Sequence, residues 1–140
     1  MHSLHTRFFS ILLLLCLSFT LTTGCGFGTG EDTRLRDLEF TVVSEERLPQ
    51  ELKALIDERK TAEFKVTYSD KEYLYLCIGY GKQETGGYSI AVNDLYLTEA
   101  SICINTSLLG PGPEDTTGSA PSYPYIVVKT EYLDKPVVFE

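Results

Sequence analysis

Histidine, tryptophan and methionine are nearly missing from this 140-residue sequence: there is no tryptophan, Met1 is the sole methionine, and the two histidines are His2 and His5. Past the fifth residue no imidazole is available. That excludes Ser-His-Asp and Cys-His nucleophilic catalysis, both of which depend on an imidazole base. It also excludes the common zinc sites, which draw on histidine or on three or four cysteines, since only Cys77 and Cys103 follow Cys25. No Asp-rich loop with the regular calcium spacing occurs. Carboxylates, lysine, tyrosine and hydroxyls are what remain for chemistry. The expectation is a chain that is not an enzyme and takes no metal and no cofactor. Alanine is absent before Ala54, so the small-residue A-x-A pattern of an ordinary signal-peptidase site is absent too.

What the N-terminus does have is an export layout. Arg7 precedes a fourteen-residue apolar run, Phe8 to Leu21, closed by Thr22-Thr23-Gly24-Cys25. The run is shorter than the roughly twenty residues a membrane-spanning helix needs. It reads as a secretory leader, residues 1–24. Leu21-Thr22-Thr23-Gly24-Cys25 resembles a bacterial lipobox, in which the cysteine is acylated and becomes the new N-terminus. Here Thr22 holds the position where leucine is usual. The resemblance implies lipidation at Cys25, with palmitate-type chains holding the protein at the cell membrane on its extracytoplasmic face. Each buried methylene contributes about 0.8 kcal/mol to such an anchor.

Without residues 1–24 the chain has 116 residues, one small domain, with eleven basic residues against twenty acidic and a net charge of −9. That charge repels phosphate backbones and anionic headgroups. Nucleic acid is excluded as a partner, and the lipid anchor rather than surface charge must supply membrane contact. Residues 25–36, with three glycines in the first six, read as a flexible tether spanning roughly 20 Å.

Residues 37–140 read as an α+β domain: a small antiparallel sheet or half-barrel of about six strands with one helix packed across it. Asp37–Ser44 alternates apolar and polar residues, as one strand would. Leu48, Leu52, Leu55 and Ile56 form one helical stripe behind Pro49, a first-turn residue. From Ala62 the period becomes two. Phe64, Val66 and Tyr68 share a face, and Ser69-Asp70-Lys71 turns the chain. Leu74, Leu76, Ile78 and Tyr80 follow in phase. A phase slip at Asn93-Asp94 predicts a bulge. Ile102 to Leu108 is a further strand, Tyr125–Tyr132 a central one, and 135–139 a last edge strand with Pro136 near its start. A long loop, 110–124, holds four of the six prolines.

The segment from Leu74 to Ile90 runs strand, glycine, short polar turn, Thr85-Gly86-Gly87-Tyr88, strand. Further on come Pro111 and then Ser122-Tyr123-Pro124-Tyr125-Ile126-Val127-Val128-Lys129. Together these resemble the C-terminal domain of the protease complex subunit PrcB family, over roughly residues 48–135. The resemblance implies an exported, often lipidated domain that supports a cell-surface protease without cutting peptides itself.

Thr85, Gly86, Gly87 and Tyr88 are therefore candidate partner-binding residues. The bland account is that the two glycines only make a tight turn. All nine tyrosines lie between Tyr68 and Tyr132, and Tyr73 and Tyr75 share a face with Cys77. With Tyr96 they would form an exposed aromatic patch; otherwise they are ordinary half-buried strand residues. Cys77 and Cys103 both fall out of phase with the apolar set. They are either a disulfide pair, permitted after export, or two separate thiols. The acid pairs Glu45-Glu46, Asp57-Glu58 and Glu114-Asp115 read as solvated surface. The functional expectation is an interaction domain that binds an extracytoplasmic protein, a protease for instance, by a sheet edge or an aromatic face. The rivals are a lipoprotein with a small-ligand pocket for sugars or peptides, and a carboxylate hydrolase needing two acids in one cleft.

Overall fold

The computed structural model describes residues 33–140. The expected leader, the expected acylation site Cys25 and the first part of the expected tether lie outside the described residues. Within them are eight strands and one α-helix: β1 (Arg36–Asp37), β2 (Phe40–Val42), α1 (Gln50–Arg59), β3 (Glu63–Ser69), β4 (Tyr73–Tyr80), β5 (Ser89–Leu97), β6 (Ile102–Leu109), β7 (Tyr125–Glu131) and β8 (Val137–Phe139). A single 3-10 turn, Glu45–Arg47, leads into α1.

The strands form two four-stranded sheets, ordered β1-β5-β6-β8 and β2-β7-β4-β3. All pairings are antiparallel except β6 with β8. The expected class holds: one helix lies across a largely antiparallel β structure. The count differs from six because the strands divide between two sheets that share a core. Leu74, Leu76, Ile78, Ile126 and Val128 of the second sheet meet Leu95, Leu97, Ile102 and Ile104 of the first. The other face of the second sheet is covered by α1, whose Leu52 and Ile56 pack with Phe64, Tyr75, Cys77 and Val127. β4 is therefore buried on both faces, which explains why Leu74 to Ile78 is apolar without a break. Burying a side chain such as Leu52 or Leu76 completely contributes about 1.5–3 kcal/mol.

The first expected strand, Asp37–Ser44, is two strands. Sheet pairing begins with Leu35, whose N–H donates to the Leu97 carbonyl (2.8 Å), and Leu38 N–H donates to Leu95 (3.0 Å). The chain then crosses to the other sheet, where Val43 N–H donates to Val127 (2.9 Å). Leu38 is buried at the crossing, and Thr130 Oγ1 donates to the Glu39 carbonyl at 2.8 Å. The alternation of Leu38, Phe40 and Val42 is real, but the residues serve different sheets, and Phe40 and Val42 are 41% and 50% exposed.

Other local readings hold. The register slips between Val92 and Asp94, and Asn93 Nδ2 donates across the bulge to Asn105 Oδ1 (2.6 Å) and Ser107 Oγ (2.7 Å). The Asp70 carboxylate closes the β3–β4 hairpin. It accepts from the Tyr73 and Glu72 amides (2.9 and 3.3 Å) and from Tyr75 Oη (3.0 Å), beside Lys71 at φ 70°. These bonds hold the Asp70 carboxyl below its ordinary range, the Tyr73 amide contributing most.

Candidate functional site

Two long connections meet at one end of the sheets, where β4 and β6 end and β5 and β7 begin. The first, residues 81–88, carries Thr85-Gly86-Gly87-Tyr88. The second is the proline-rich 110–124 loop. Gln83 and Ser122 form an isolated antiparallel bridge, with N···O distances of 2.8 and 3.0 Å. Ser122 Oγ donates to the Thr85 carbonyl at 2.6 Å. Gln83 Nε2 donates back to the Tyr80 carbonyl at 3.0 Å. Within the second loop, Gly112 N–H donates to Asp115 Oδ2 at 2.6 Å, closing a tight turn.

The two motif glycines are not equivalent. Gly87 has φ +84°, and a Cβ there would lie 2.8 Å from Thr117 Cγ2 and 3.1 Å from Pro111 Cβ. Gly86 has no neighbour within 4 Å of a Cβ. Gly87 is thus the point where the first loop is pressed against the second, while Gly86 faces open space. Tyr88 is half-buried, with its ring edge beside Gly110, where a Cβ would lie 3.5 Å from Cε1. Tyr123 stands 37% exposed on the second loop. The result is a cross-braced, solvent-facing platform rather than a loose loop.

Thr85, Gly86, Gly87 and Tyr88 are brought together there. Tyr73 and Tyr75 are not with them: they lie toward the hairpin end of β4, on the α1 side of the sheet. Tyr75 is buried, edge-on to Tyr68 at 5.8 Å, and burial followed by the Asp70 bond raises its pKa. Tyr73 is half-buried beneath Lys129 Nζ, 4.3 Å from its ring centre. Tyr96 lies on the other sheet, under the Arg34 guanidinium, with its hydroxyl donating to Glu140 Oε1 at 2.9 Å. An exposed aromatic patch of Tyr73, Tyr75 and Tyr96 does not form, because α1 covers the face that Tyr75 occupies and Tyr96 belongs to a different sheet.

The disulfide between Cys77 and Cys103 is likewise absent. Both thiols are free and buried, Cys77 on β4 beneath α1 and Cys103 on β6 in the opposite sheet. Both do lie off the inter-sheet core, as their phase indicated, but on different sheets. Burial pushes the Cys77 thiol up to about 12.

Among the described residues no three His, Cys, Asp or Glu side chains group as metal ligands. The acids seen in ion pairs, with Arg34, Arg36, Lys53 and Lys60, are on the surface. Sequence reasoning missed Ser122 and Thr117 as brace residues, and the Tyr80 Oη to Thr106 Oγ1 bond (2.7 Å) that ties the two sheets. The Ser122-Tyr123-Pro124 motif was the one signal that could have pointed to the brace.

Neither the curated proteins nor the solved structures contain a match to this chain. A family match exists over residues 74–131, described as PrcB C-terminal. It runs from the start of β4 to the end of β7 and takes in both loops of the platform. Over residues 74–131 this chain is similar to the PrcB C-terminal family.

Proposed function

We propose that this protein is a lipid-anchored, extracytoplasmic, non-catalytic binding domain that serves as an accessory subunit of a surface protease complex. The observation that carries the reading is the platform: the family segment places its two longest connections against each other and braces them. Braced loops lose little conformational entropy when a partner docks, so more of the contact energy appears as affinity. Four prolines in the second loop act in the same direction. Tyr88 and Tyr123 offer amphipathic contact surface of the kind favoured in protein interfaces. The leader and Cys25 motif support export, and the missing imidazoles support a role other than catalysis.

The test is chemical crosslinking in intact cells followed by affinity capture, with Cys25→Ala as the mislocalised control. One dominant surface protein is expected from the native chain, lost with Cys25→Ala and weakened by Tyr88→Ala. Recovery of no protein, together with a small molecule retained by the purified domain, would replace this reading with that of a ligand-binding lipoprotein.

A further inference from the structure

We infer that the open seam between the two sheets takes up an extended segment of the partner protein as an added strand. This rests on the protein-binding role proposed above and names the surface and the partner chemistry. The sheets are joined at one side by the chain crossing from β1 to β2. At the other side they end in two edges, β8 of the first sheet and β3 of the second. β8 is short and covers only Ile102 to Ile104 of β6. Beyond it lies a cleft of about 480 Å³, lined by Glu63, Lys65, Ile78, Tyr80 and Thr106 among others.

Backbone direction decides what this cleft can recognise. Ile102 N–H donates to Pro136 and Glu140 N–H donates to the Ile104 carbonyl, so Ile102 and Ile104 turn their main-chain groups toward β8. Strand alternation sends those of Thr106 and Leu108 the same way. Among the described residues no backbone group meets them. On the far wall, Tyr80 N–H donates to Pro124, so Ile78 and Tyr80 turn toward β7. Lys65 and Thr67 stand opposite Ile78 and Leu76 in the register. Their N–H and C=O groups therefore point away from β4, into the open side. The cleft thus has the unpaired β6 stretch beyond β8 on one wall and an apolar residue, Ile78, in its lining, with the open β3 edge alongside.

That combination suits a peptide backbone better than a compact ligand. Repeating donors and acceptors along an edge select an extended main chain, and alternate side chains then read the floor. The matching segment has a small or medium apolar residue facing Ile78. Lys65 Nζ lies 3.5 Å from the Phe139 carbonyl and 5.9 Å from the Phe139 ring centre, bridging β3 to the end of β8 beside the cleft. Tyr80, which lines the cleft, is also the residue from which the 81–88 loop departs, so one partner can reach platform and seam together.

The experiment places a photoreactive phenylalanine analogue at Lys65 in the full chain, and in a parallel sample at Val42 on the remote edge of the second sheet. The cells that make the protein are irradiated and the adducts mapped. From Lys65, adducts are expected within one stretch of about five to seven residues of a single partner, the length of a strand; none of that stretch is expected from Val42. A synthetic peptide of the stretch should bind the purified protein, and methylating its alternate backbone nitrogens should weaken binding about tenfold. Thr67→Pro, which removes one outward N–H at an edge where proline is tolerated, should weaken the same peptide. A partner captured in the crosslinking assay of the previous subsection but never reached from Lys65 overturns the seam and leaves the binding role standing. Equal binding of the methylated peptide, or adducts to a second copy of this chain, overturns it too. If neither assay yields a partner, the binding role itself falls.

Discussion

Gly86 and Gly87 are neighbours in one motif, yet replacing each by alanine should give very different results. At Gly87 the backbone is left-handed, φ +84°, which costs an L-residue about 1–2 kcal/mol. Loss of glycine's freedom in the unfolded chain returns about 0.4–1 kcal/mol of this. The new Cβ also meets Thr117 Cγ2 at 2.8 Å and Pro111 Cβ at 3.1 Å, an overpacking that costs about 1–3 kcal/mol in a tight site. The Thr117 methyl can yield more easily than the proline ring, so the net loss for Gly87→Ala should be roughly 2 kcal/mol. For a domain of this size that is a fall in Tm of about 8–15 °C. Gly86→Ala, with open space around the new methyl, should stay within about 0.5 kcal/mol of the native protein. Denaturant melts measure both, and hydrogen exchange at the Gln83 and Ser122 amides reads the brace directly. Thr117→Ala should recover part of the loss in the Gly87→Ala background but none of the φ strain, giving a non-additive cycle. Equal effects at the two glycines, or strict additivity with Thr117→Ala, would refute the idea that Gly87 is where the loops are clamped.

Further outcomes are expected. Gly79→Ala should destabilise by about 1–3 kcal/mol in a thermal melt, since its Cβ would lie 2.1 Å from the buried Phe64 ring, and Phe64→Leu should relieve part of that. Tyr80→Phe should cost about 1 kcal/mol in denaturant by removing the Thr106 bond between the sheets. Neither Cys77 nor Cys103 should react with a thiol reagent at pH 8 until the protein is unfolded, and reductant should leave electrophoretic mobility unchanged. The Cys77 thiol, raised from 9.0 to about 12, contributes stability that is whole below pH 9 and lost as pH climbs toward 12, which alkaline unfolding will show. The Asp70 carboxyl is depressed, so its contribution is present above its ordinary pKa and disappears as pH falls through the lower folded value. An NMR titration of the Tyr73 amide should report that acid transition and lose it in Asp70→Asn.

The elements easiest to read in advance were those whose pattern is set by near neighbours. Leu52 and Ile56 face the sheet because they are four residues apart on a helix, and the β7 strand is central because it is built on the unbroken apolar run Tyr125-Ile126-Val127-Val128. The bulge at Asn93 was visible because the apolar phase slips there. What escaped depends on pairings that period cannot encode. Leu38, Phe40 and Val42 alternate as one strand would, and only the positions of β5 and β7 divide them. The parallel partnership of β8 with β6 has no local signature. Cys77 and Cys103 both fall out of phase with the apolar set, but phase does not say which sheet a strand joins. The platform was half legible: the Thr85–Tyr88 and Ser122–Tyr125 motifs stood out, while the Gln83–Ser122 bridge joins residues too distant in sequence for any spacing rule to link them.

The division of strands between sheets also bears on how the chain reaches its native state. The first sheet draws on the beginning, middle and end of the domain, and so does the second. Only the β3–β4 and β5–β6 ladders are hairpins that can zip early. β7 must then find β4 across an intervening hairpin, and β1, β2 and β8 dock last. Such distant closures slow the search and keep edges exposed while it proceeds. The stretch from Leu74 to Glu131 on its own would leave Tyr75, Cys77 and Val127 without the helix that shields them. It should therefore be recovered as an aggregating fragment, a portion of a cooperative unit and not an independent module.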